Sequence, residues 1–124
     1  MMVEILCVFL GGGLGSLCRY LIGSHLVKVQ PGCFPWGTWV ANAVGCLLIG
    51  LLLAWFERRS AGLYRLLLVT GFCGGFTTFS TFSNETVQLL RQGSTALALA
   101  YVGASLGAGL LLCAAGYGVV KGWN

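Results

Sequence analysis

The residues best equipped for chemistry lie in one run, Gly71-Phe-Cys-Gly-Gly-Phe-Thr-Thr-Phe-Ser-Thr-Phe-Ser-Asn-Glu85. Thr77, Thr78, Ser80, Thr81 and Ser83 place five hydroxyls within seven residues of an otherwise apolar segment, and Gly74 and Gly75 weaken a helix beside them. If a helix resumes after the glycines, at about 100° per residue Phe79 and Phe82 share a stripe, and Thr78, Thr81 and Glu85 form a second stripe next to it. Ring edges carry the positive part of the aromatic quadrupole, and hydroxyls donate hydrogen bonds. With the amide of Asn42 added, this inventory suits a small, desolvated anion. The break also predicts a cation seat, because carbonyls near Gly74 lose their helical partners, while the second half-helix starts near Thr77 or Thr78 with a positive dipole end. Glu85 opposes a simple anion path unless it is protonated by desolvation or hydrogen-bonded by the neighbouring hydroxyls.

These residues need a frame, and the composition supplies one. Of 124 residues, 57% are hydrophobic and 8% are charged, far from the roughly 25% charged residues of soluble domains. Four apolar blocks, at about 3–23, 36–56, 66–90 and 96–120, each approach or exceed the roughly 20 residues that cross a bilayer as helix. The expectation is an all-α membrane protein, a single four-helix transmembrane domain over residues 1–124 with a broken third helix. The first block opens with Glu4 and has no convincing cleavage site, so it reads as a retained helix rather than a signal peptide.

The net charge of +4 comes from residues at or beyond block ends, among them Lys28, Arg58, Arg59, Arg65, Arg91 and Lys121. Cations there anchor helices to headgroups, which removes nucleic acid from consideration. Six cysteines occur without a C-x-x-C pair, and the single His25 has no clustered companion. Neither a disulfide framework nor a metal-dependent enzyme is indicated.

Around the central run, each remaining block offers one informative face. The first carries Gly11-Gly12-Gly13-Leu14-Gly15-Ser16, suited to close helix approach, followed by Arg19, which reads either as a snorkelling side chain or as a buried guanidinium that caps helix carbonyls or attracts an anion. The second aligns Thr38, Asn42 and Gly45 on one face behind the interfacial Trp36 and Trp39. The fourth aligns Tyr101 with Ser105 and holds Gly103-x-x-x-Gly107, a packing pattern. Basic residues divide four against two or three between the two ends, too even a balance to fix orientation. Chains that insert both ways can pair antiparallel, and four helices alone enclose no aqueous path, so a homodimer is expected.

The central run with Glu85 resembles the signature of the small bacterial fluoride channels, the Fluc (CrcB) family. The resemblance extends to Gly12-x-x-Gly15-x-x-x-Arg19-Tyr20, to Gly37-Thr38-x-x-x-Asn42-x-x-Gly45, and to Tyr101 and Ser105, and so spans the chain. It implies an antiparallel dual-topology homodimer in the bacterial inner membrane, with two fluoride pores and a central structural sodium ion, exporting fluoride passively and conferring fluoride resistance. By motif position, Gly74 and Thr77 would give carbonyls to sodium, Phe79 and Phe82 would line the pores, and Asn42 would donate to fluoride. Thr38, Thr78, Ser80, Thr81, Glu85, Tyr101 and Ser105 would form or support the polar path, and Arg19 matches the arginine of the first helix. Trp39 and Cys46 depart from the expected pattern, as does the continuation through Gly109 and Cys113. The chief rival, a small dual-topology multidrug exporter, wants a membrane-embedded carboxylate in the first helix, where only Glu4 stands, near the chain start. A purely structural subunit would explain the glycine faces but not the hydroxyl and phenylalanine stripes.

Overall fold

A computed structural model describes residues 1–26 and 30–122. Lys28 lies outside them. Apolar composition over sufficient length produces four helical spans, Met2–His25, Trp36–Phe56, Gly62–Arg91 and Thr95–Lys121. Within them the elements are α1 (Met2–Leu21, continued by a π turn over Ile22–Leu26), α2 (Trp36–Phe56), α3 (Gly62–Arg65), a π-helical stretch over Leu66–Cys73, α4 (Gly74–Phe76), α5 (Phe79–Arg91) and α6 (Thr95–Lys121). The third span is therefore divided, as its sequence predicts.

The division falls one turn later than the glycine pair. Gly74 and Gly75 are helical, whereas Thr77 (φ −88°, ψ 154°) and Thr78 (φ −148°, ψ 118°) are extended. The physical reason lies in the neighbour. α1 packs so closely on this span that a Cβ at Gly75 would strike the carbonyl of Gly12. Gly75 serves approach, and the β-branched threonines, poor helix formers, take the extended turn.

Hydrogen bonding then restarts and stops the helix cleanly. The Thr78 hydroxyl accepts from the Thr81 amide at 3.2 Å as the N-cap of α5. At the other end Gly93, at φ 81°, allows a Schellman turn in which the amides of Gly93 and Ser94 donate to the carbonyls of Leu90 and Leu89.

α6 packs mainly on α2, while α1 packs on the π-helical stretch and α4. Gly116 and Gly50 make the α2–α6 approach, against Leu47 and Cys113 respectively. Gly103 and Gly107, expected as a packing face, meet no neighbour within 4 Å in the single chain, because their side of α6 points away from α2. A small core of Leu89, Ala98 and Tyr101 closes the end of the bundle near Phe34, Trp39 and Phe82.

Candidate functional site

Asn42 spans the break. Its Oδ1 accepts from the Thr78 amide at 2.7 Å and its Nδ2 donates to the Thr78 carbonyl at 3.1 Å. One asparagine thereby replaces both the helical donor and the helical acceptor of the extended residue, which an apolar environment would otherwise leave unpaired. Since an amide nitrogen carries two hydrogens, Asn42 retains one for a ligand. Because the Thr78 amide turns to Asn42, the Gly74 carbonyl is without its helical partner.

The neighbouring carbonyl is occupied. Ser16 Oγ and Arg19 Nε both donate to the Gly75 oxygen, at 3.3 and 3.2 Å. Of the two sequence readings of Arg19, the structure selects the half-buried guanidinium that caps a helix carbonyl. Ser16 was not singled out, although it precedes Arg19 by three residues on the α1 face that meets the broken span; that spacing is the signal.

Two cavities meet at Thr78. The first, about 420 Å³, includes Asn42, Thr77, Thr78, Phe79, Phe82 and Ser105 in its lining. The second, about 350 Å³, includes Arg19, Ser24, Thr38, Thr78, Thr81 and Glu85. The aromatic and hydroxyl stripes foreseen on one helix thus face different spaces, which matches their angular offset. The rings of Phe79 and Phe82 lie 5.8 Å apart; Phe79 is 78% exposed in the single chain. Oγ of Ser105 is buried without a hydrogen-bond partner among the described residues, and so is Oγ of Ser24 in the second cavity, a residue that no motif marks.

Glu85 is hydrogen-bonded, but not by the hydroxyls beside it in sequence. Thr38 Oγ1 donates to Oε1 at 2.7 Å, and the Tyr101 hydroxyl donates to Oε2 at 2.8 Å. Thr78 and Thr81 instead bond each other at 3.1 Å, because the cap geometry turns Thr78 toward its own helix. Tyr101 is fully buried, with its ring 5.1 Å from Phe82 and edge-on to Phe34 at 5.3 Å. Ser80 is exposed and reaches only the Thr78 hydroxyl, at 3.3 Å. Ser83 and Thr86 bond back to the carbonyls of Phe79 and Phe82 in their own helix.

Of the residues that depart from the expected pattern, Trp39 joins the aromatic cluster around Tyr101, while Cys46 and Cys113 line the first cavity. Among the described residues no group of His, Cys, Asp and Glu could hold a metal. Any cation at the break would rely on backbone oxygen.

Comparison with known proteins places the chain in a family. Residues 6–117 match the family model described as CrcB-like protein, Camphor Resistance (CrcB). A protein of Flavobacterium psychrophilum named fluoride-specific ion channel FluC is 42% identical over 97% of this chain and 98% of its own length. Proteins of the same name from Rhizobium leguminosarum bv. trifolii (40% identical; 97% and 98% covered) and Bacteroides fragilis (44%; 93% and 94%) are similar. The chain belongs to the CrcB family, and with its four long apolar helices it is a multi-pass membrane protein.

Proposed function

We propose that this CrcB-family protein is the subunit of a fluoride-selective channel that lets fluoride leave the bacterial cytoplasm passively across the inner membrane. The observation that carries the reading is the first cavity, where the spare Asn42 hydrogen, the rings of Phe79 and Phe82 and the unpartnered Ser105 hydroxyl line one space beside the start of α5. Each offers partial positive charge and none offers a full charge. That suits a small anion which must shed water and still pass on. The name of the relatives, fluoride-specific ion channel, supports the choice of fluoride.

The second cavity extends the path through the hydroxyls of Thr81, Thr78 and Thr38 to Arg19. Glu85, engaged by Thr38 and Tyr101, supports this wall. A channel also needs closure. The exposed Phe79 ring and the unfilled faces at Gly103 and Gly107 fit a second copy of the chain, inverted, so that two copies enclose two pores.

Between the copies, the carbonyls of Gly74 and Thr77 would hold a structural sodium ion. Donor chemistry fits: the break supplies backbone oxygens, the ligands that sodium takes at unwound helices, and a two-fold axis would double their number. The Gly75 oxygen is excluded by its bond to Arg19. A multidrug exporter finds no support, because the only carboxylate of α1 is exposed Glu4. The test is anion efflux from liposomes that contain the purified protein.

A further inference from the structure

At the end of the bundle formed by the C-termini of α2 and α6, a cavity of about 250 Å³ is lined by Ala54, Trp55, Arg58, Arg59, Val120 and Lys121. Three cations meet one nearby carboxylate. Glu57 is taken by Lys121 in an ion pair and by the Tyr117 hydroxyl at 2.8 Å. Arg59 lies 4.3 Å over the Trp55 ring, which fixes the guanidinium without neutralising it. Among the described residues neither Arg58 nor Arg59 has an ion-pair partner. Cations often stand at helix C-termini to offset the dipole, but that role does not account for a hollow between them.

We propose that this cavity seats the phosphate of an anionic phospholipid headgroup. Guanidinium groups bind phosphate oxygens in pairs, and the fork of Arg59 is already oriented by Trp55. Part of the lining is apolar. Ala54 and Val120 suit the glycerol and upper acyl chain, which a free phosphate ion lacks, and the pocket sits at the C-terminal ends of the apolar spans Trp36–Phe56 and Thr95–Lys121. Trp55 is the residue type favoured at that depth. The inference rests on the membrane placement of the chain and is independent of which ion it conducts.

Native mass spectrometry of the purified full-length protein with added dioleoyl phosphatidylglycerol or dioleoyl phosphatidylcholine tests it. Retention of phosphatidylglycerol well above phosphatidylcholine is expected. Apparent affinity for phosphatidylglycerol should fall roughly tenfold or more in the double variant Arg58→Gln, Arg59→Gln, since both juxtamembrane cations without an ion-pair partner, which attract anionic lipid, are removed. The charge-preserving variant Arg58→Lys, Arg59→Lys should keep most of it. Equal retention of both lipids by the unaltered protein overturns the proposal, as does phosphatidylglycerol binding that the glutamine variant leaves unchanged. Displacement of the lipid by millimolar inorganic phosphate would overturn the choice of a lipid ligand.

Discussion

The Tyr101 hydroxyl stands 2.8 Å from Glu85 Oε2, and through that bond α6 is tied to the helix that carries both candidate stripes. Thr38 binds the other carboxylate oxygen, so α2, α5 and α6 converge on one side chain. Replacement of Tyr101 by Phe keeps the ring in its cluster and removes only this bond. The expected cost is about 1 kcal/mol of unfolding free energy in detergent, accompanied by slower anion flux. A Tyr101→Phe variant with unaltered stability and flux would deny Glu85 its fastening role.

Gly75→Ala should be far more damaging than its single methyl suggests. The added carbon would meet the Gly12 carbonyl, and backbone cannot step aside without parting α1 from the broken span. A loss of about 3 kcal/mol or more is expected. Gly13→Ala, one residue on and facing open space, should be neutral or gain up to about 1 kcal/mol from helix propensity. Thermal or denaturant unfolding of the two variants side by side makes the comparison.

The four spans were legible because hydrophobic length alone specifies a membrane helix, and the stripes were legible because residues three and four apart share a face. Position along the third span was less so. Gly74 and Gly75 carry the local signal of a break, yet the break is at Thr77 and Thr78, since glycine also answers a contact from α1 that is distant in sequence. Partners were harder still. Glu85 was expected to lean on its near neighbours, whereas its donors come from residues 47 and 16 positions away. Arg19 left two readings open until the Gly75 carbonyl appeared opposite it. Ser24 had no signal at all, because a lone serine at a helix end takes its meaning from a cavity that two other spans help to build.

Asn42 holds the break together, and under the proposed function it also donates to the passing ion; two substitutions test both roles. Asn42→Asp keeps an oxygen for the Thr78 amide but removes the hydrogens offered to the Thr78 carbonyl and to an ion. Asn42→Ala leaves both backbone groups unpaired. Fluoride flux should fall at least about tenfold in both, as expected for a lost charge-assisted donor of roughly 1.5–3 kcal/mol. Unfolding should show the alanine variant as less stable than the unaltered protein, because both Thr78 backbone groups lose their partner. Normal flux in either variant would place the anion path elsewhere.

Sodium removal probes the break directly. Exhaustive exchange into a buffer of a bulky organic cation should abolish flux and weaken the dimer, with recovery on return of sodium. Thr77 contributes backbone oxygen in this account, so Thr77→Ser should keep the sodium response. Flux indifferent to sodium would remove the ion from the carbonyls of Gly74 and Thr77.

Selectivity for fluoride over chloride is decided by one recording. Liposomes holding the purified protein and loaded with equal fluoride and chloride are diluted into impermeant anion, with a potassium ionophore to relieve the voltage and an electrode for each halide. Rapid release of fluoride with chloride retained is expected. Chloride release at the same rate, or no release of either halide, would contradict it.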